Sequence, residues 1–125
     1  MKLTIYGQPI TKKNSQQIIM AGKRPCIIPS KAFKAYEKAA KEQLRFTNYD
    51  YSQMPRGGNL QIKCLYYLAT SRIPDLTNLL AATHDILEHC GIIENDRQIK
   101  SVDGSRIIGK DLNPRVEIEI MEMGG

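Results

Sequence analysis

Apolar residues along this chain recur with two different periods, and each change of period marks a change of element. Leu60, Ile62, Cys64, Tyr66 and Leu68 return at every second position, which predicts a strand over residues 59 to 69 with one continuous apolar face. Val116, Ile118 and Ile120 repeat that alternation in "RVEIEIMEM" and form a last strand. "KLTIYG" suits a first strand ended by a Gly-Gln-Pro turn, and "DRQIKSVDGSRIIG" reads as a further strand. "QQIIM" and "PCIIP" flank "AGKR" as a hairpin whose tip carries Lys23 and Arg24. Elsewhere the spacing lengthens to three and four. Ser30 is placed to cap a helix of about residues 31 to 45, and a second helix runs from about Asp75 to His89 and stops at Gly91. The polar stretch "TNYDYSQMPRGG" joins the first helix to the long strand as a loop. The sum is an α/β (α+β) chain: a mixed β-sheet packed by two main helices, in the single domain that 125 residues suit.

Projected at about 100° per residue, the first helix sorts its side chains by charge. Lys31, Lys34, Lys38, Lys41 and Arg45 fall within roughly an 80° arc, opposite Phe33, Tyr36, Ala40 and Leu44. Such a helix buries its aromatics and offers a row of cations to a phosphate backbone; the plainer alternative is an ordinary solvated face. Lys12 and Lys13, with Lys23 and Arg24, extend the same surface if the fold brings them together. The second helix puts Leu76, Leu79, Leu80, Ile86 and Leu87 on one side and Asp75, Asn78, Ala82, Asp85 and His89 on the other. Asp75, after Pro74, is also a natural N-cap.

Charge gives the cationic stripe a context. Eighteen Lys and Arg against 13 Asp and Glu leave +5 and a pI near 9.2, a balance that favours an acidic partner such as nucleic acid and is shared by ribosomal and membrane-surface proteins. Cys26, Cys64 and Cys90 form no C-x-x-C pair and leave an odd thiol, which argues against a secreted disulfide framework and for a reducing cytoplasm. The N-terminus breaks at Gly7 and Pro9 before a signal-peptide core, and no apolar run approaches the ~20 residues of a membrane helix, so a protein with no membrane partner is expected.

Against that cationic excess, residues 72 to 99 gather Asp75, Asp85, Glu88, Glu94 and Asp96. Carboxylates repel a polyanion unless a cation stands between them, and Mg²⁺ is bound by one or two carboxylates plus phosphate oxygens. If the chain reverses at Gly91 and returns along the second helix, Asp96 approaches the helix N-terminus and a metal bridge to a phosphodiester results; Asp96 as a plain turn residue is the alternative. His84 and His89 belong to no nucleophile or zinc pattern and read as surface or helix-end residues; Cys90 reads as a small buried residue. Tyr36 and Tyr66 sit on core faces, while Tyr49 and Tyr51 lie in the polar loop, where stacking on unpaired bases is open to them.

The ordered series Asp75, Asn78, Asp85, Gly91, Asp96 and Gln98, in "PDLTNLL" and "HDILEHCGIIENDRQI", resembles the "D-L-D-N...D-A-L...G...D-D-x-Q" signature of the RusA family of crossover junction endodeoxyribonucleases. The opening "GQPITKKNS" is similar to that family's Gly-x-Pro-x-x-Lys-x-Asn start. The resemblance implies a small homodimeric enzyme that resolves four-way DNA junctions with Mg²⁺, for which Mn²⁺ can substitute. It matches Asp75 and Asp96 to the metal-binding catalytic aspartates and Asn78 to a supporting asparagine. Three positions depart from the pattern: Thr77 replaces the second aspartate, Ala81 a lysine, and Asn95 the first of two later aspartates. Asp85 is the first candidate to replace the absent metal ligand, with Glu94 and Asp103 behind it; Arg97, Lys100 or Arg106 could supply the absent cation. The rival reading is a junction-binding protein of the same fold that has lost its chemistry; a basic assembly protein with incidental acidic turns ranks third.

Overall fold

The structure of the chain is a computed structural model that describes residues 1–12, 16–22, 24–29, 31–45 and 58–123. Its elements run β1 (Lys2–Tyr6), β2 (Gln16–Ala21), β3 (Arg24–Pro29), α1 (Lys31–Arg45), β4 (Leu60–Leu68), α2 (Leu76–His89), a 3₁₀ turn (Asp96–Gln98), β5 (Ile99–Ser101), β6 (Arg106–Lys110) and β7 (Arg115–Glu122). The sheet has the order β1-β7-β4-β5, and β6 pairs with the far end of the same β4 edge that carries β5. β1 and β4 lie antiparallel to β7, while β5 and β6 lie parallel to β4, so the expected mixed sheet is present. β2 and β3 pair with each other as a separate two-stranded sheet.

Period-two patterning decides which sheet face is covered. Leu3 and Ile5 stand opposite Ile118 and Val116, which in turn stand opposite Cys64 and Tyr66, so one apolar row crosses three strands. α1 closes this face with Phe33, Tyr36, Ala40 and Leu44, and α2 with Leu79, Leu80, Ile86 and Leu87; all are buried. Cutting one such side chain back to alanine costs about 2–5 kcal/mol. Tyr66 is buried with its hydroxyl satisfied by Thr83 Oγ1 at 2.8 Å, and Thr83 in turn donates to the Leu79 carbonyl at 3.0 Å. Burial pushes the neighbouring Cys64 thiol up to about 12, so it stays protonated and inert. On the opposite sheet face polar pairs answer each other, as Lys63 does Glu119 at 3.7 Å.

One expected strand is not continuous. Residues 96–109 divide into the 3₁₀ turn, β5 and β6, because Ile92 and Ile93 drop into the core directly after α2 and the chain then joins β4 as a parallel neighbour. β5 and β6 run back alongside β4, but Asp96 is held beside Glu88 near the end of α2 and does not approach the helix N-terminus. Ser30 as a cap, Lys13, Lys23, and the loop with Tyr49 and Tyr51 lie outside the described residues.

Candidate functional site

Asp75 caps α2, as its sequence position predicts. Its Oδ1 accepts the Thr77 backbone N–H at 2.9 Å and the Thr77 hydroxyl at 2.7 Å, which satisfies an otherwise open N-terminal donor and fixes the carboxylate. Thr77 therefore does more than lack a charge. A second carboxylate here would repel Asp75 unless a cation lay between them, whereas the hydroxyl supports the Asp75 carboxylate by donating to it. Asp75 is exposed and lines a cavity of about 440 Å³ between the loop after β1, the first turn of α1 and the segment after β4. Gln8 shapes this cavity by accepting the Ala69 N–H at 2.6 Å, which ties the two loops together. Among the described lining residues the ionisable ones are Asp75 and Arg72. Nothing in the periodicity marks Arg72, which lies in a loop.

Asp96 stands elsewhere. α2 ends in a Schellman arrangement: Gly91, at φ 76°, donates to Glu88 O at 3.0 Å and Ile92 donates to Leu87 O at 3.0 Å, with Leu87 and Ile92 both buried. Asn95 then caps the 3₁₀ turn by accepting the Arg97 N–H at 2.8 Å. The buried Gln98 accepts the Glu94 and Asn95 N–H groups at 2.8 and 3.1 Å and donates to Gly58 O at 3.0 Å. Gly91, Asn95 and Gln98 are thus the frame that holds Asp96, whose N–H donates to Glu88 Oε1 at 3.2 Å. Residues 75 and 88 are separated by roughly 20 Å of helix axis, so within one chain Asp75 and Asp96 occupy opposite ends of α2.

The remaining candidates separate into pairs. Asp85 is held by Lys12 Nζ at 2.7 Å, and the same ammonium lies 5.5 Å from the centre of the Phe33 ring. Lys12 is thereby an internal strut between the loop after β1 and both helices. Asn78 is half-buried on the same side of α2. That side faces α1 as much as water, since Ala82 is buried and His89 Nδ1 meets Glu37 at 3.3 Å. Glu37 also meets Lys41 at 3.8 Å. Lys31, Lys34, Lys38, Lys41 and Arg45 are all exposed. His84 corrects the surface reading: its Nε2 is buried with no hydrogen-bond partner among the described residues, and burial holds its pKa below the usual imidazole value while Asp85 and Asp96 pull it partly back.

The described residues of one chain gather no cluster of donors for a resident Mg²⁺. Among the described residues no group of three or more His, Cys, Asp and Glu side chains could hold a metal ion. Asp75 has the Thr77 hydroxyl beside it in place of a second carboxylate, and Asp96 is held beside Glu88 at the other end of α2.

These features define a basic α+β domain with one acid-and-base cavity at the head of a helix and a cationic row on its neighbour. The chain belongs to the endodeoxyribonuclease RusA family, whose family model matches residues 7–121. Membership makes it a chain of the Holliday junction resolvase family. Comparison with curated proteins gave no match. No helix among the described residues is long and apolar enough to cross a membrane.

Proposed function

We propose that the protein is a cytoplasmic, Mg²⁺-dependent endodeoxyribonuclease that binds four-way DNA junctions as a homodimer and makes paired incisions. The observation that carries this reading is the position of Asp75, fixed at a helix N-terminus on the lip of a cavity that also holds Arg72. A guanidinium in that place suits a phosphate oxygen, and a helix N-terminus favours the same charge. The row from Lys31 to Arg45 then supplies sequence-independent phosphate contacts.

The separation of Asp75 and Asp96 gives the dimer a chemical purpose. A cation held by both kinds of carboxylate requires two chains, with Asp75 of one protomer facing Asp96 of the partner subunit. When bound, the cation would supply the positive charge that lets carboxylates approach a phosphodiester. Thr77 orients Asp75, Asn78 lines the same helix side, and Arg72 binds the phosphate. Two-fold symmetry presents two such sites to two strands.

The test is incubation of the purified protein with a labelled four-way junction, and separately with linear duplex, in Mg²⁺ and in Mn²⁺. Symmetric nicks in the junction alone are expected. Tight junction binding without incision in either metal would favour the binding protein that kept the fold and lost the chemistry, a reading for which Thr77, Ala81 and Asn95 speak.

A further inference from the structure

A second cavity, of about 390 Å³, lies at the other end of the two helices, away from Asp75. Its floor is apolar, formed by Leu44, Cys90 and Ile92, of which Leu44 and Ile92 are buried. Its rim carries Lys41, Arg45 and His89. Glu37 touches both Lys41 and His89 and so holds them in place, but it is a single carboxylate against two permanent cations, and Arg45 has no ion pair among the described residues. A volume in the range of small-ligand sites, an apolar base, a flat imidazole and a cationic edge suit a ligand that is planar and anionic at once. A nucleotide is such a ligand.

Position adds a second argument. Lys41 and Arg45 are the last members of the cationic row that starts at Lys31, beside Ala32, and Ala32 lines the Asp75 cavity. Along α1 and α2 the two cavities are roughly 15–20 Å apart, about four to six stacked nucleotides at 3.4 Å each. We propose that this second cavity receives an unstacked nucleotide of a DNA strand whose backbone follows the Lys31 to Arg45 row toward the first cavity, about four to six nucleotides away. The proposal rests on the DNA-binding part of the reading above and needs none of its chemistry.

Cys90 supplies the probe, because its half-buried thiol lies in the cavity wall. Alkylation of Cys90 by iodoacetamide is followed by peptide mass in metal-free buffer, with and without an eight-residue oligothymidylate whose binding is checked by anisotropy. Bound DNA should slow modification about tenfold, and Lys41→Ala with Arg45→Ala should remove that protection. Inorganic phosphate and pentaglutamate should give none. Unchanged Cys90 reactivity with DNA bound, equal protection by pentaglutamate, or failure of the oligonucleotide to bind would each overturn the proposal. Since no metal is present and no bond is cut, these outcomes are independent of whether the protein cleaves junctions.

Discussion

At its N-terminus α2 carries an exposed aspartate on the lip of a cavity, its carboxylate bonded by the neighbouring Thr77. At its C-terminus the chain is closed by a mesh of backbone and amide bonds that ends at Asp96. On the account proposed above the N-terminal end carries the chemistry, whereas residues around Asp96 serve the fold first and present the carboxylate as a result.

The largest expected effect comes from removing either charge. Asp75→Asn and Asp96→Asn should each lower junction cleavage about a thousandfold or more, read under single-turnover conditions. Asp75→Asn should leave stability within about 1 kcal/mol, because asparagine caps helices as well as aspartate does. A large loss of stability in that variant would make Asp75 a structural cap only.

The mesh and the open end should then differ in stability. Gln98→Ala leaves three backbone groups without their partner and should cost about 2–4 kcal/mol in urea denaturation. Thr77→Val loses one exposed hydroxyl bond and should cost under about 1 kcal/mol. Equal costs would erase the distinction. Thr77→Asp sharpens it: two adjacent carboxylates should bind Mn²⁺ at least about tenfold more tightly by calorimetry, and should destabilise the metal-free protein slightly.

The smallest effect is pH-dependent and belongs to His84, between the two ends. Its folded pKa lies below the unfolded value near 6.5, so below about pH 6.5 the unfolded chain takes a proton that the folded chain resists. Stability from this group is therefore greatest above that pH and falls as pH drops through the folded value. His84→Asn should flatten the slope of stability between about pH 7 and pH 5. An unchanged slope would mean that the buried Nε2 reaches water.

Alternation in β4 and β7 and the helical spacing of α1 were legible because each element buries one face against the same core, and burial imposes the period. Asp75 was legible for a related reason, since a cap residue before an apolar helix is a local signal. The course of residues 92–110 was not, because Ile92 and Ile93 leave the helix by tertiary burial, which no local period encodes. Arg72 escaped notice because loop residues carry no periodicity, and the ion pair of Lys12 with Asp85 because it joins residues far apart in the chain. The motif itself proved divisible: Gly91, Asn95 and Gln98 build the turn and Asp75 caps the helix, while Asp75 and Asp96 are the two to which the proposal gives chemistry.

The shared cation between two protomers is tested most directly by mixing subunits. Asp75→Asn protein and Asp96→Asn protein, each inactive alone, are unfolded together, refolded, and assayed on a four-way junction with Mg²⁺. A mixed dimer keeps one complete site, Asp75 from one chain with Asp96 from the other, and should restore nicking of one strand while leaving the opposite strand intact. If mixed dimers form and remain as inactive as their parents, each site is built within a single chain and the two-chain account is wrong.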